Sequence, residues 1–479
     1  MKRFGSFILT VWLTAAIGLI VCASGQKAAA QSVWELTPYR IRLVVAFSPS
    51  PVLTPQLASE LNKRLTEQID TSVGIRWDVK VLEPSPPLRH RMIEDIESVK
   101  LTDLPKDTSE FDKVFLVTVA AETSHLVVEA REIDVRTETY GPVVRLPVWQ
   151  TAKLCNMIFQ SLIDIFTPIA QVAKTTGDEV TLRLRAGELP PRDSSLPVVG
   201  PGDVFQPLMR YSNRQGELTK KKIIDWTYLL VKQRDEKGVQ CAIHSAMPCP
   251  MSGRRRGRVE ALALYVHPSN KTTRLVLRAR EEPKPRLSGY QVYEKKIDGK
   301  ETKLIGRTDI DGAIEIGPGE QQLRILLVKS GKVLLAKLPV VPGFEPEVSA
   351  NIRNDDQRLE AEGFITAMQL NMIDMLMRRD IMVERAKVYL KSNQLEKAEK
   401  IVRELQEMPT RETLLRELGN KQERIVVEDT WMKGKVDELF TETRKLIKKR
   451  FTFDADKDPI KVIARQVAEA RKKALSKSK

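Results

Sequence analysis

The spacing of apolar residues divides the chain into three regimes. In the first, short apolar runs alternate with stretches of helical spacing. Residues 40–48, RIRLVVAFS, form a continuous apolar run of strand length. Leu57, Leu61, Leu65 and Ile69 then recur every four residues, which predicts an amphipathic helix. Ile75, Trp77, Val79 and Val81 alternate as in a half-buried strand. A short helix is expected over 88–99, and strands over 113–122, 125–135 and 143–149. The pattern continues into a long amphipathic helix from Thr151 to about Val172 and a strand over 179–189. Strands alternating with helices predict an α/β domain over 31–188.

The second regime is β-rich. LPPRDSSLPVVGPG (189–202) is rich in Pro, Ser and Gly, so it is either a linker or a wide loop. After it, WTYLLVKQ, VEALALYVHP and TRLVLRARE read as antiparallel strands of a small barrel or sandwich over 189–284. Between 290 and 341, four or five strands are separated by Asp298-Gly299, Asp311-Gly312 and Ser330-Gly331, which predicts a β-sandwich over 285–350. From about Asp355 the spacing becomes helical, with a break at SNQ (392–394), and stays so through 351–479. The expected class is a multidomain α+β chain: an amino-terminal α/β module, a β-rich middle with a small β-sandwich, and a carboxy-terminal α-helical region.

Three local resemblances accompany this pattern. GRTDIDGAIEI, through Gly306, Thr308, Asp309, Asp311, Gly312 and Ile314, resembles the strand–turn–strand signature of carboxypeptidase-regulatory-like and transthyretin-like β-sandwich modules. The resemblance spans about residues 285–345 and implies an accessory module without catalysis. Asp309 and Asp311 invite a calcium reading, but Asp before Gly also makes a turn by itself. Ala386, Tyr389, Ala398, Val402, Leu405 and Pro409 fall near the consensus places of a single tetratricopeptide-like hairpin over about 379–410. The order of elements in the first domain resembles the small αβ modules at the amino termini of periplasmic proteins related to the Tol-Pal propeller and curli-secretion lipoproteins.

The first thirty residues add a destination. Lys2 and Arg3 precede an apolar stretch, Phe7–Val21, and a small-residue exit at Ala28-Ala29-Ala30. This is the layout of a cleaved signal peptide over 1–30, with an amino-terminal membrane anchor as the alternative. Cys22 does not fit a lipoprotein motif, because Val21 stands where a small residue is needed. The 479-residue chain has a formal charge of +15, and loss of Lys2, Arg3 and Lys27 leaves +12. A secreted or periplasmic chain is expected to join Cys241 and Cys249 in a disulfide. Zinc at Cys241, His244 and Cys249, with His267 as a fourth ligand, is the alternative; the order of residues departs from a zinc knuckle. Cys155 reads as an apolar thiol on a helix. Arg254, Arg255, Arg256 and Arg258 read as an exposed turn facing an anionic envelope surface, not nucleic acid. Asp454, Asp456 and Asp458 begin like an EF-hand loop, but Pro459 and Arg465 replace its Gly and Glu. A frayed basic tail is expected at the end.

No nucleophile elbow, zincin motif, phosphate loop or dinucleotide fingerprint is present in the sequence. No catalytic residue, metal or cofactor is therefore assigned. The leading reading is a secreted, non-catalytic envelope protein that binds other envelope proteins through its helical region. Met368, Met372, Met375, Met382 and Tyr389 form the expected contact groove, and core filling is the competing role for the methionines. The alternative is an envelope hydrolase in the amino-terminal domain, for which Ser48 and Ser50 are the candidate nucleophiles.

Overall fold

A computed structural model describes residues 33–235, 238–248, 250–251, 258–297, 299–331, 333–427, 429–451 and 458–477. The expected signal peptide, Cys22, Cys249, Arg254, Arg255, Arg256, Asp454 and Asp456 lie outside the described residues. Among the described residues no helix is long and apolar enough to cross a membrane.

The amino-terminal unit is a five-stranded sheet in the order β2-β1-β3-β4-β5. Its strands are β1 (Tyr39–Phe47), β2 (Trp77–Leu82), β3 (Lys113–Ala121), β4 (Leu126–Asp134) and β5 (Thr139–Val148). β1 runs parallel to β2 and β3, and β3 to β5 form an antiparallel meander. β1 and β3 are buried on both faces, which explains their unbroken apolar sequences. The first helix, α1 (Pro55–Ser72), is capped by Thr54 and lays Leu61, Leu65 and Ile69 on one face of the sheet. α2 (Pro86–Glu94) covers the other face with Leu88 and Met92. α3 (Leu154–Ile165) joins α1, burying Ile158 and Leu162. The helix expected to reach Val172 stops at Ile165, because Pro168 follows and disfavours a helical residue before it.

The residues beyond that stop enter a second sheet. β6 (Ile169–Thr176), β7 (Glu179–Leu184), β8 (Val204–Ser212), β9 (Leu218–Ile223), β10 (Thr227–Asp235), β11 (Gly238–Ser245) and β12 (Arg258–Tyr265) pair in the order β10-β11-β7-β6-β12-β8-β9. β10 also pairs with β8, so six strands close into a barrel and β9 stands outside it. The Pro-rich stretch after Leu189 is thus a wide loop between β7 and β8 of one barrel. Leu208, Leu262 and Leu264 of the barrel complete the core of the amino-terminal unit.

A sandwich follows, with sheets β16-β13-β19 and β15-β14-β17-β18. Its strands are β13 (Thr273–Ala279), β14 (Gln291–Lys295), β15 (Thr302–Arg307), β16 (Ala313–Ile316), β17 (Arg324–Ser330), β18 (Val333–Val340) and β19 (Glu347–Ile352). The Thr-Asp-x-x-Gly stretch is a turn. The Thr308 hydroxyl donates to the Leu287 carbonyl (2.7 Å) and accepts from the Tyr290 amide (3.0 Å). Asp309 Oδ1 accepts from the Asp311 and Ala313 amides (2.8 and 2.9 Å). Gly312 has φ +67°, and a Cβ there would stand 2.7 Å from the Leu277 carbonyl oxygen, so only glycine fits. Asp309 therefore serves the turn, and Asp311 forms ion pairs with Arg286 and Arg274.

Among the described residues five helices follow: α4 (Asp356–Lys391), α5 (Leu395–Gln406), α6 (Arg411–Arg424), α7 (Thr430–Arg450) and α8 (Pro459–Lys477). α4 is the spine, about 54 Å long at 1.5 Å per residue. Its first half packs on α6 and α7 through Ala361, Ile365, Leu414, Leu418, Val436 and Phe440. Its second half packs on α5 and α8 through Ala386, Ala398, Val402, Ile463 and Val467. The tail expected to fray is instead the helix α8, which covers the α4–α5 hairpin.

Candidate functional site

A helix that packs along one side normally presents polar residues on the other. α4 does not. At 3.6 residues per turn, Leu359, Gly363, Leu370, Met377, Ile381 and Val388 lie within about 20° of a single line, with Ile373 about 60° aside. Ala361, Ile365, Met368, Met372, Met382, Val383 and Ala386 lie within about 60° of the opposite line, and all seven are buried. The first line is open: Leu370 is 63% exposed, Ile373 56%, Met377 63%, Ile381 54% and Val388 60%. Leu359, Gly363, Thr366 and Glu384 on the same side are exposed too. Toward the carboxy end the stripe passes into a shallow, open surface depression lined by Asp380, Ile381, Glu384, Arg385, Val388 and Tyr389. Burying one such aliphatic side chain contributes about 1.5–3 kcal/mol. Five such side chains are left in water along one side of α4, with Glu384 between the last two.

The position of α4 is fixed by a buried junction with the sandwich. Arg358 donates to both oxygens of Asp355 (2.7 Å each), to the Ser330 carbonyl (3.0 Å) and to Glu362 (2.6 Å). Asp355 is fully buried, and its amide donates to the Tyr290 hydroxyl (2.9 Å). Buried hydrogen bonds therefore join the sandwich to the start of α4.

The residues expected from sequence fall as follows. Met368, Met372 and Met382 are buried and Met375 is half-buried, all on the packed side of α4. They fill the core and do not form a groove, because α6, α7, α5 and α8 occupy the side they face. Tyr389 is half-buried, borders the open depression and has Lys397 over its ring at 5.7 Å. The disulfide expected between Cys241 and Cys249 is not supported, since Cys241 is a free thiol. Its side chain points into the barrel core beside Val180, Val231 and Val239. Burial pushes that thiol up to about 12. No group of three or more His, Cys, Asp or Glu that could hold a metal occurs among the described residues. His267 Nε2 donates to the Phe166 carbonyl (3.1 Å), and burial holds its pKa below the ordinary value. Arg258 opens β12 and donates to the Arg214 carbonyl (2.8 Å). It lies beside the β8–β9 arm, where Lys220, Lys221 and Lys222 are exposed; the sequence reading passed over that lysine run.

Ser48 and Ser50, the candidate nucleophiles of the alternative reading, lie in the amino-terminal unit. The Ser48 hydroxyl accepts from the Ala121 amide (3.3 Å), and the Ser50 hydroxyl accepts from the Val52 amide (3.3 Å). The cavity between this unit and the barrel measures about 150 Å³ and is lined by Arg76, Trp77, Phe166, Asp203, Tyr265 and His267 among others, with no serine, threonine or cysteine. The strongest electrostatic feature is sealed. Lys113, Glu132 and Asp134 are all buried, with Lys113 Nζ 2.5 Å from Glu132 and 3.0 Å from Asp134. Burial raises Glu132 to about 7, against the pull of Lys113. Burial acts to raise Asp134 as well, but Lys113 and two hydrogen bonds from Thr137 outweigh it and hold that carboxyl low. Glu132 Oε2 also accepts from the Thr167 amide (2.8 Å), so the cluster locks the sheet to the turn that enters the barrel.

No protein-family model and no curated protein sequence matches the chain. Among solved structures it is similar to the lipoprotein GNA1162 from Neisseria meningitidis, at 17% identity and a TM-score of 0.17, over 26% of this chain and 95% of that one. It is also similar to TolB from Acinetobacter baumannii, at 11% identity and a TM-score of 0.16, over 66% of this chain and 95% of that one. Similarity at this level assigns neither family nor function.

Proposed function

We propose that this chain is a non-catalytic interaction protein of the secretory route, which contacts another protein through the exposed face of α4. One observation carries the reading: the apolar stripe from Leu370 to Val388 stands opposite the packed face of the same helix and is more than half exposed throughout. The charged groups buried elsewhere are arranged for structure. The Lys113 cluster has no opening to solvent, and the Asp355–Arg358 pair ties two units together. The signal-like segment supports an envelope or extracellular setting, where proteins and not nucleic acids are the available partners. Attraction of the basic Lys220–Lys222 arm and Arg258 to an acidic partner surface adds a salt-sensitive contribution.

The test compares the chain with L370E/I381E, two substitutions at open positions that leave the packed side intact. Both forms are used to capture proteins from a membrane and envelope extract, at low and high salt. The stripe variant is expected to lose protein captured by the parent, itself included, at both salts. An unchanged set of captured proteins overturns the reading.

A further inference from the structure

We propose that the open face of α4 pairs with the same face of a second copy of this chain, antiparallel, about a two-fold axis between Ile373 and Asp374. This rests on the reading of that face as a protein contact and names its occupant. The first support is charge order along the helix. Residues 356–374 carry Asp356, Glu360, Glu362 and Asp374 against Arg358, a net −3. Residues 375–391 carry Arg378, Arg379, Arg385, Lys387 and Lys391 against Asp380 and Glu384, a net +3. A parallel pair sets like halves side by side. An antiparallel pair sets the acidic half of each copy against the basic half of the other.

The second support is register. The axis between Ile373 and Asp374 places Leu370 opposite Met377, Thr366 opposite Ile381 and Leu359 opposite Val388. On one flank of the stripe the same axis brings Glu360 within two residues of Arg385, and on the other flank Glu362 within two residues of Lys387. The apolar pairs and the charge pairs thus fall into one register. Glu360 already meets Lys421 and Lys387 meets Glu384 within the chain, but these side chains remain substantially exposed and free to share a second partner.

The third support is area. From Leu359 to Val388 the stripe is about 44 Å long, and a helix contact is about 10 Å wide. That gives roughly 440 Å² per copy and about 900 Å² in all, below the size of a permanent interface. A self-complementary surface of this size closes into a two-fold dimer that dissociates on dilution.

The experiment is sedimentation of the purified chain from about 0.1 to 100 μM, with L370E, M377K and the L370E/M377K double variant beside it. The chain is expected to pass from monomer to dimer within that range. Each single variant is expected to weaken association at least tenfold, and the double variant to recover most of it, because the new acid meets the new base across the axis. Far-ultraviolet circular dichroism of each variant establishes that it is folded. A chain that stays monomeric at 100 μM, a dimer indifferent to L370E, or singles that fail without rescue in the double overturns the antiparallel pair. If the monomeric chain still captures a different protein that the stripe variant loses, the proposed function stands and only this inference falls.

Discussion

Cys241 shows how far a residue's role depends on the direction in which it points. Its spacing from Cys249 and the signal-like start suggest a disulfide. Yet alternation along β11 turns Val239 and Cys241 toward the barrel axis, where the thiol behaves as a small apolar group. Alkylation at pH 8 is expected to leave Cys241 unlabelled in the native chain and to label it once guanidinium unfolds the barrel. Recovery of a Cys241–Cys249 linked peptide, or rapid native labelling, contradicts this. Glu132 supplies a second test. In the unfolded chain its carboxyl loses its proton near the ordinary 4.5, whereas the folded chain holds it until about 7. The folded state therefore binds the extra proton between these values, and this contribution to stability is lost as pH rises through them. Compared with E132Q, the parent is expected to lose stability between pH 5 and pH 8 in denaturant titrations. A constant difference across that range removes the carboxyl from the account. None of this was legible in sequence, because Lys113, Glu132 and Asp134 read as ordinary alternating strand residues until β3 and β4 pair.

At the scale of elements, the strands of the amino-terminal sheet were legible, since continuous apolar runs and alternation report burial directly. The end of α3 was not. The apolar period runs smoothly from Ile165 into β6, and only Pro168 marks the change from helix to strand. α4 was legible as a helix but not as a surface. Its apolar residues occur on two opposite sides, so periodicity alone cannot tell the packed side from the open one. The methionines drew attention because they share a spacing, and that spacing belongs to the core. The joint at the start of α4 makes a separate prediction. Arg358 is the partner of a fully buried carboxylate, and R358A leaves Asp355 without it. Loss of about 3–5 kcal/mol is expected for breaking one side of such a pair. D355L/R358M, which removes both charges, is expected to cost less than R358A in the same denaturant titration. Equal costs would mean that the joint is held by packing alone.

Across the whole molecule the order α/β unit, barrel, sandwich and helices follows the changes of period along the chain. The borders between them were harder to read. Turn-rich composition marks the loop after Leu189, but that loop lies within the barrel, while the real joints run through buried contacts. Tyr39 and Ile169 join the first sheet to the barrel, Val204 and Ile325 lie in one core with barrel and sandwich, and Arg358 reaches Ser330. Buried contacts thus join each unit to the next, up to the start of α4 and its open face. The claim that this face is occupied by protein is tested most directly by placing a photo-crosslinking amino acid at Met377 of the intact chain in its producing cells. Lys300 of the sandwich and Lys433 of α7, both exposed, serve as control positions. The account predicts a discrete protein adduct from position 377 and none from the controls. No adduct at 377, or the same adducts from all three positions, contradicts it.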